Sequence, residues 1–405
     1  MKRMPTFLCI ASYFKGGEFL VQCKAAGAKV FLLTDRKLEN EDWPREAIDE
    51  CFYMESEVMG EWDMKALIKG LAYTMRSNKI DRIVALDDFD IEKGAELREH
   101  FRIPGMGQTT YRHFRDKLAM RMKAQESGIP VPAFSSIFND EDVNEYADTI
   151  PAPWVLKPRS EASATGIRKV HSKDELWKII HELGDERDMF LIEKFTPGDV
   201  YHVDALSVQG ELAFVRSSRY LDTPMEVAHG GGIFRTVTVE FGSQDEKDLA
   251  AINDTLMKAF GMNYSASHSE FIKSKENGQF YFLETASRVG GAHIAEMVEA
   301  SSDISLWGEW AKMEVALVTG QKYEMPKAED NYAGLIVSLA RQKHPNIDSF
   351  TDEEIWWRMR SKEYHIGFIV KSKSQSRVLE LLDKYAGRIA NEFHASLPIS
   401  DKPTS

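Results

Sequence analysis

The stretch ASHSEFIKSKENGQFYFLETASRVGG, residues 266–291, decides the fold. Two runs rich in strand-forming residues flank Glu276-Asn277-Gly278, and this pattern predicts a β-hairpin. A two-residue Asn-Gly turn would put Glu270 and Glu284 on opposite faces of the hairpin. A three-residue loop with Gly278 in the left-handed conformation would place them directly opposite each other on one face. The loop length therefore decides whether the two carboxylates meet.

Glu270 and Glu284 are the candidate metal ligands of the chain. On one face of a hairpin their Cβ atoms would lie about 5 Å apart, a separation at which two carboxylates repel each other. A divalent cation between them removes this repulsion, and oxygen ligands suit Mg²⁺, or Mn²⁺, held together with phosphates. We therefore expect a metal beside a phosphorylated ligand. Two solvated strand residues are the alternative interpretation.

A candidate anion site follows the hairpin directly. Arg288 lies four residues after Glu284, and Gly290-Gly291 then precede AHIAEMVEA, which is typical of a helix. Free amides at the start of a helix, together with a guanidinium group, bind anions. The same residues also fit a glycine-rich turn that carries a surface arginine.

Two lysines upstream occur in contexts that indicate phosphate contact. Lys117 lies in the helical segment RDKLAMR, and Lys157 ends the strand VLK. The polar loop at 159–166 follows, and its small residues can lay amides and hydroxyls over phosphates, although it is not a P-loop motif. Taken singly, each lysine also fits a solvated surface charge.

The composition limits the classes of function. The chain has 405 residues, 43% hydrophobic and 28% charged, which is typical of a globular protein of several units. Its 64 acidic and 51 basic residues give a net charge of −13, which disfavours nucleic acid or anionic membrane as a partner. The three cysteines, without metal-ligand spacing, favour a reducing, cytoplasmic compartment, and no apolar run approaches the about 18 residues of a membrane span.

The first hundred residues alternate between strands and helices. Strands are predicted at 6–12, 28–35 and 81–88, with helices at 17–27 and 64–78, which indicates a Rossmann-like parallel sheet. An NAD-dependent oxidoreductase is one interpretation of such a unit. The turn after the first strand, SYFKGGE, lacks the G-x-G-x-x-G fingerprint and counts against it.

The rest of the chain divides into three further units. A helix over 109–128 follows Pro104 and opens the second unit, and a capping box of Ser172 and Glu175 begins another helix there. Gln209-Gly210 marks a hairpin turn in the third. A boundary near 108 and a last unit beyond 325 follow from these patterns, and the fold class is α/β and α+β multidomain.

The order of these motifs resembles the ATP-grasp superfamily of ligases, particularly the branch of biotin carboxylase and the amino-acid ligases. The succession RDKLAMR, VLKPRSEASATG, LIEKFTPGDVYHVDAL, SEFI and FLETASRVGG carries the resemblance over almost the whole chain. It implies an N-terminal Rossmann-like pre-ATP-grasp domain at 1–107 and a two-subdomain ATP-grasp fold, small at 108–190 and large, with the metal site, at 191–324. A C-terminal α+β unit at 325–405 completes it. A homodimer is expected by analogy with the same family.

The resemblance also implies roles for particular residues. Lys117 and Lys157 correspond to phosphate-binding lysines, and Glu270 and Glu284 to Mg²⁺ ligands. Arg288 corresponds to the arginine that steadies the phosphorylated intermediate. The implied ATP-contacting residues are those of the flap, the adenine hinge and the two ribose candidates: Ser160, Ser163, Thr165, Gly166, Glu193, Lys194, Phe195, Asp199 and His202.

The resemblance implies an ATP-dependent carboxylate-amine ligase that forms an amide or peptide bond through an acyl phosphate, on amino acids or a small metabolite. The family motif is Glu-x-Asn-x-Arg, whereas this chain has Ala286 at the asparagine position. Alanine cannot ligate a metal, so water or a residue such as Ser287 must replace it. This departure also motivates an ATP-binding regulatory protein as the alternative, beside a carboxylase-type ATP-grasp enzyme.

Candidate residues for the carboxylate and amine substrates are less specific. AHGGGIFRTV at 228–237 has three glycines between strand-like segments, and its backbone can approach a ligand closely. A flexible surface loop is the alternative. The aspartates at 87, 88 and 90 follow a strand at the sheet edge where ligands bind. The candidate substrate contacts are His229, Gly230, Gly231, Arg235, His268, Arg288, Gly290 and Gly291.

Overall fold

The computed structural model describes residues 3–161 and 166–396, apart from the side chains of Ala228 and His229. The first unit is a parallel sheet in the order β3-β2-β1-β4. Its elements are β1 (Thr6–Ala11), α1 (Gly17–Ala25), β2 (Lys29–Asp35), β3 (Glu50–Met54), α2 (Met64–Thr74), β4 (Arg82–Ala85) and α3 (Ile91–Phe101). The predicted strands and helices of this unit are present. Strand β3 was not predicted, because its polar start hides the apolar run.

The second unit is a small sheet in the order β5-β8-β6-β7. Its elements are α4 (Lys117–Glu126), β5 (Phe134–Ser136), α5 (Asp140–Thr149), β6 (Trp154–Pro158), β7 (Arg168–Val170), α6 (Lys173–Leu183) and β8 (Phe190–Lys194). The helix predicted over 109–128 begins only at Lys117, because the Asp116 side chain caps the amides of Leu118 and Ala119. Ser172 caps α6, but the Glu175 carboxylate accepts from the His171 amide instead of closing a capping box.

The third and largest sheet has eight strands in the order β13-β12-β9-β10-β11-β14-β16-β15. The first part comprises β9 (Gly198–Val208), β10 (Glu211–Tyr220), α7 (Pro224–Gly230), β11 (Phe234–Thr238), α8 (Gln244–Phe260), β12 (Tyr264–Ser274) and β13 (Phe280–Ala286). The second part comprises α9 (Ile294–Ser302), α10 (Leu306–Thr319), β14 (Tyr332–Leu339), β15 (Ile355–Arg358), β16 (His365–Ser372) and α11 (Gln375–Glu392). The strands after residue 325 thus extend the same sheet. None of the helices within the described ranges combines the length and the apolarity of a membrane span.

The first unit packs on the large sheet through α1 and α10. The rings of Phe19 and Trp310 lie 5.0 Å apart edge to face in a shared hydrophobic core. Nearby, Arg82 and Glu314 form a buried ion pair with an N–O distance of 2.5 Å. Removal of one partner of such a pair would cost about 3–5 kcal/mol, because it leaves the other charge buried alone. These contacts fix the carboxyl edge of the parallel sheet relative to the large sheet.

The hairpin of β12 and β13 differs from the prediction in one respect. The loop has four residues, 275–278, because the Ser274 amide donates to the Gln279 carbonyl at 2.9 Å. Gly278 has the predicted left-handed conformation, with φ of 71°. Without any bulge, a loop of this length would pair Glu284 with Ser269, and the Glu284 side chain would lie on the face opposite to that of Glu270. The predicted three-residue loop is therefore wrong.

A β-bulge at Leu283 restores the predicted pairing. Phe271 pairs with Phe282, whereas the next residue of β12, Glu270, pairs with Glu284. Leu283 is the extra residue, so Phe282 packs in a hydrophobic core while Leu283 and Glu284 both line the cavity on the other side. The two carboxylates thus share a face, as the sequence predicts, but a four-residue loop with a bulge brings this about instead of a three-residue loop.

Candidate functional site

A cavity of about 590 Å³ lies where the three sheets meet. One end is apolar and lies against the strap that joins β8 of the small sheet to β9 of the large one. It is lined by Met120, Val155, Phe195, Gly198, Ile272 and Leu283. The other end reaches the first unit and is lined by Asp88, Arg115, Tyr220, Met225, Val227, Phe234, Arg288 and Ile294. Lys117, Lys157, Glu270 and Glu284 line the wall between the two ends.

Lys117 and Glu284 form an ion pair in the middle of the cavity. The Lys117 Nζ lies 2.9 Å from Glu284 Oε2 and donates to the Glu161 carbonyl at 2.6 Å. Lys117 is the first residue of α4, so the Asp116 cap fixes its direction. Burial alone would raise the pKa of Glu284, but Lys117 and then Lys157 lower it to about 2. Glu284 is thus a carboxylate at neutral pH, as a metal ligand must be.

Lys157 belongs to a buried group of two cations and one anion. Its Nζ lies 2.5 Å from Glu193 Oε1, and the guanidinium of Arg121 contacts Glu193 Oε2 at 2.9 Å. One positive charge therefore remains uncompensated beside the cavity. Burial is the main cause that lowers the pKa of Lys157 to about 8. A phosphate oxygen would compensate the remaining charge.

Arg121 was not among the predicted site residues. It is fully buried, and beyond Glu193 it donates to the Leu283 carbonyl at the β-bulge. The sequence signal was its position four residues after Lys117 on α4, which places both on one face of the helix.

The predicted hinge residues Glu193, Lys194 and Phe195 all line the cavity. β8 ends at Lys194 in the small sheet and β9 begins at Gly198 in the large one, so residues 195–197 connect the two sheets. Gly198 is required there, because a Cβ would lie 2.3 Å from the Lys273 carbonyl oxygen. The amides of Lys194 and Phe195 already donate to the carbonyls of Ala133 and Pro153. An adenine base bound here would therefore form its hydrogen bonds with other groups.

The two ribose candidates do not line this cavity in the described part of the chain. Asp199 is half-exposed beside it, 3.7 Å from Lys275 Nζ. His202 is fully buried, and its two ring nitrogens are hydrogen-bonded to Asp204 and Thr236. The structure therefore contradicts a ribose contact by His202, because β9 turns its side chain toward β11 beneath the cavity floor.

The predicted flap is only partly described. Ser163 and Thr165 lie outside the described residues. Of the two that are described, Gly166 lies over Pro158 with φ of 71°, and Ser160 is half-buried at the end of β6. Glu161 and Ile167, which adjoin them, line the cavity.

Glu270 is held from the side by Tyr220. The Tyr220 hydroxyl donates to Glu270 Oε1 at 2.8 Å, and the Tyr220 ring packs 4.8 Å from the His202 ring. Burial, then the Glu270 charge, raises the pKa of Tyr220, so the hydroxyl keeps its proton. Since Glu270 faces the cavity beside Glu284, this hydrogen bond fixes the direction in which the carboxylate meets a ligand.

A chain of buried polar groups lies behind Glu270. His268 Nδ1 lies 2.8 Å from Asp204 Oδ1, and His202 Nδ1 lies 2.7 Å from Asp204 Oδ2. His268 Nε2 faces Glu270 Oε1 at 3.7 Å. Burial alone would lower the pKa of His268, but Asp204 and Glu270 raise it to about 10. Sequence reasoning assigned His268 to the substrate and His202 to ribose, and it missed Asp204; the polar residues at 202 and 204, two positions apart on one strand, were the available signal.

Arg288 connects the large sheet to the first unit. Its Nε donates to Asp88 Oδ2 at 2.9 Å, its Nη2 contacts the same oxygen, and its Nη1 donates to the Val289 carbonyl at 2.6 Å. Burial opposes the charge, but Asp88 and Asp87 raise the pKa of Arg288. Of the neighbouring aspartates, Asp87 pairs with Lys15 at 2.6 Å and Asp90 accepts from the Ser12 amide at 2.7 Å. Asp88 is thus the one that reaches the cavity.

The structure separates the other predicted substrate residues. Gly291, His268 and Arg288 line the cavity, whereas Gly230, Gly231, Gly290 and Arg235 are not among its described lining residues. Arg235 pairs with Asp222 and Asp383 on the far side of β11, at 2.9 and 2.7 Å. The segment before the three glycines is the helix α7 instead of a strand, because Thr223 and Glu226 form a capping box. The side chain of His229 is outside the described part.

The start of the helix after Gly290-Gly291 also differs from the prediction. α9 begins at Ile294, after His293 in a left-handed conformation with φ of 67°. A Cβ on Gly290 would lie 2.9 Å from Asp204 Oδ1 and 3.0 Å from His268 Nδ1. Gly290 therefore serves close packing over the buried polar chain, and it is not placed to bind a ligand.

The donor set fits a divalent cation with a phosphorylated ligand. Glu270 and Glu284 supply carboxylate oxygens on one face, and three cationic side chains, Lys117, Lys157 and Arg288, line the same cavity. Ala286 faces the cavity as well and supplies no ligand atom. Ser287 follows the end of β13 and lines a small separate cavity beside Arg82 and Glu314, so it does not replace the missing asparagine.

Residues 150–296 match the family model described as the ATP-grasp domain. The L-arginine-specific L-amino acid ligase of Bacillus subtilis is 27% identical over 245 residues, which cover 58% of this chain and 57% of that protein. The D-alanine–D-alanine ligase of Neisseria meningitidis is 23% identical over 171 residues, which cover 42% of this chain and 56% of that protein. These matches span less than two thirds of the length of either relative.

Solved structures match nearly the whole chain. The L-amino acid ligase from Bacillus licheniformis has a TM-score of 0.72 at 17% identity and covers 98% of this chain and 100% of its own. The N5-carboxyaminoimidazole synthetase from Staphylococcus aureus, complexed with ADP, has a TM-score of 0.69 at 18% identity, with 95% and 97% covered. At this identity the likeness concerns the fold. Residues 150–296 thus match an ATP-grasp domain, within a chain whose fold is that of these ligase and synthetase structures.

Proposed function

We propose that the protein is an ATP-dependent ligase that joins a carboxylate to an amine and forms ADP and phosphate. One observation carries the proposal: a single cavity holds two phosphate-reaching lysines, two facing carboxylates and, at its far end, an arginine held by the first unit. The apolar strap between the sheets fits a nucleotide base at one end. The far end fits a substrate carboxylate, so that the γ-phosphate lies between the two.

In the first proposed step, a carboxylate oxygen of the substrate attacks the γ-phosphorus, the bond to the β,γ-bridging oxygen breaks, and ADP leaves. Lys117 and Lys157 neutralise the charge on the transferring phosphoryl oxygens from the small-sheet side. A divalent cation held by Glu270 and Glu284 supplies further charge neutralisation when it is bound. The product of this step is an acyl phosphate and ADP.

In the second proposed step, the amine attacks the acyl carbon, and the carbon–oxygen bond to phosphate breaks. The ammonium form of the amine first loses a proton to water, and the proton that leaves the nitrogen as the amide forms is taken up by the departing phosphate or by water. Arg288 donates hydrogen bonds to the acyl phosphate oxygens and stabilises the charge that develops there. The lysines and the strap exclude water, which would hydrolyse the acyl phosphate.

The deciding experiment measures ADP release with pairs of carboxylates and amines, amino acids first. We expect release to require both partners and to match the amide formed, as detected by mass spectrometry. Glu284→Gln is the control, because it keeps the shape of the side chain and removes its charge. ADP release without amide formation from any pair would contradict the ligase proposal.

Ala286 favours a second candidate, a nucleotide-binding regulatory protein without turnover. In that case ATP binds to the cavity with a measurable dissociation constant, and it is recovered intact after prolonged incubation with every substrate pair. The two candidates therefore differ in one measurable quantity, the amount of ADP formed.

A further inference from the structure

His268 has a free ring nitrogen at the edge of the cavity. Its Nδ1 is held by Asp204 at 2.8 Å, and its Nε2 points toward Glu270 Oε1 at 3.7 Å. The residue lines the cavity, although its side chain is only 11% exposed. Among the described residues, the recorded contact of Nε2 is this ion-pair distance to Glu270. A buried nitrogen therefore faces the ligand space with its direction fixed.

The distance of 3.7 Å between Nε2 and Glu270 Oε1 is too long for a hydrogen bond. It is close to the separation of two adjacent ligands on one metal ion, about 3 Å for octahedral coordination at about 2.1 Å. A small rotation of either side chain closes the difference. The gap thus suits a cation shared by the imidazole and the carboxylate.

The surroundings of His268 are those of a metal-bound histidine. Such ligands donate their other ring nitrogen to a carboxylate, which fixes the ring and strengthens it as a ligand. Here Asp204 has this role, and it is itself held by His202, whose Nε2 lies 2.8 Å from the Thr236 hydroxyl. Asp204 and Glu270 attract a cation to this nitrogen, and a metal ion bound there takes the place of the ring proton, which is released on binding.

The three groups His202, Asp204 and His268 come within ligand distance of one another, but they do not form a metal site of their own. Each Nδ1 is hydrogen-bonded to a different oxygen of Asp204, and His202 has no nitrogen left. The group serves as support for a single exposed nitrogen, that of His268.

The neighbouring residues leave room for an ion at this place. His268 pairs across the hairpin with Ala286, whose methyl group fills little of the cavity. On the other side, Gly290 has no side chain, and a Cβ there would lie 3.0 Å from His268 Nδ1. The two small residues therefore let the ring stand between the strands with Nε2 toward Glu270.

We propose that His268 is a metal ligand, which completes through Nε2 the coordination of the cation bound by Glu270 where Ala286 offers none. The proposal rests on the proposed nucleotide and metal site and specifies its ligand set. An imidazole in that set shifts the preference away from Mg²⁺ toward ions that accept nitrogen, such as Mn²⁺ and Co²⁺.

The test is pulsed electron paramagnetic resonance of the Mn²⁺ complex of the full-length protein with ADP. Phosphorus-31 coupling reports that Mn²⁺ lies on the nucleotide, and nitrogen coupling reports an imidazole ligand. Protein made with ¹⁵N-histidine distinguishes this nitrogen from those of adenine. We expect both couplings, with the nitrogen coupling lost in His268→Gln and kept in the matched control His344→Gln, whose side chain is 75% exposed.

The outcomes separate this inference from the proposed function. Phosphorus coupling without histidine nitrogen coupling in the labelled wild-type protein would overturn the ligand assignment and leave the nucleotide site standing. No binding of Mn²⁺ and ADP would overturn the proposed function itself. Because the labelled wild-type protein gives the answer, the test holds even where His268→Gln does not fold.

Discussion

The two ends of the cavity are built differently. The nucleotide end comprises the apolar end together with the adjoining wall that carries the lysines. Its charged groups come from neighbouring elements of the ATP-grasp fold: Lys117 and Arg121 from α4, Lys157 from β6 and Glu193 from β8. At the far end, Arg288 is paired with Asp88, a residue 200 positions away in the parallel sheet of the first unit. The charged groups of the nucleotide end thus come from residues outside the first unit, whereas those of the far end include a residue of the first unit.

The difference indicates a division of labour. The nucleotide end keeps one cationic charge in excess and needs only phosphate to balance it. At the far end Arg288 is already paired with Asp88, Arg115 lies over the Phe89 ring, and apolar side chains from α7 and β11, such as Met225 and Phe234, form part of the walls. Nucleotide capture and carboxylate activation should therefore respond to different substitutions.

The largest expected effect separates the two ends. Arg288→Ala should slow amide formation about 100- to 1,000-fold, because it removes a preorganised donor to the acyl phosphate. The affinity for ADP, measured by calorimetry, should stay within about 2-fold. An equal loss of ADP affinity would show that Arg288 belongs to the nucleotide end.

The next effect is expected at the nucleotide end. Lys157→Met should weaken ADP binding about 10- to 100-fold, the size of one lost charge-assisted hydrogen bond. The fold should persist, because Arg121 and Glu193 remain as a balanced pair. Glu193→Gln is the matched contrast: it leaves two cations without their anion and should lower the free energy of unfolding by about 3–5 kcal/mol. A retained ADP affinity in Lys157→Met would contradict the role of the lysine.

The pH dependence of ADP binding tests the same lysine. The pKa of Lys157 is lowered to about 8, so the side chain loses its positive charge as the pH rises through that value. ADP affinity should be full below this pKa and fall about 10-fold between about pH 7 and pH 9, one protonation equilibrium. Lys157→Met should abolish the dependence. A flat profile in the wild-type protein would exclude Lys157 as its source.

The smallest expected effect concerns the partner of Arg288. Asp88→Asn keeps the size of the side chain and removes the charge that aims the guanidinium. The turnover number should fall about 2- to 10-fold, as for one weakened hydrogen bond, without a change in ADP affinity. Asp87→Asn, which affects the Lys15 pair instead, is the control. Equal effects of the two substitutions would mean that the first unit acts through general stability.

The sequence singled out several residues that line the cavity, because these follow from local patterns. A lysine at a capped helix start, a lysine at a strand end and two glutamates on a hairpin are each visible within some ten to twenty residues. The fold class was confirmed for the same reason, since alternating strands and helices mark a parallel sheet.

The remaining contacts could not be predicted, because they depend on which strands become neighbours. His268 meets Asp204 only because β12 pairs with β9, and Arg288 meets Asp88 only because the first unit packs on the large sheet. The assignment of His202 to ribose was wrong for the same reason: β11, two strands away from β9 in the sheet, supplies Thr236 as a partner.

The extra residue at Leu283 lets one strand contribute side chains both to the hydrophobic core and to the cavity. Upstream of it the side chains alternate in step with the apolar interior, and downstream they alternate in step with the catalytic surface. Mutation can therefore repack Phe282 without moving Glu284, and the reverse. Arg121 donates to the Leu283 carbonyl and therefore stabilises the bulge. The same guanidinium contacts Glu193, the partner of Lys157.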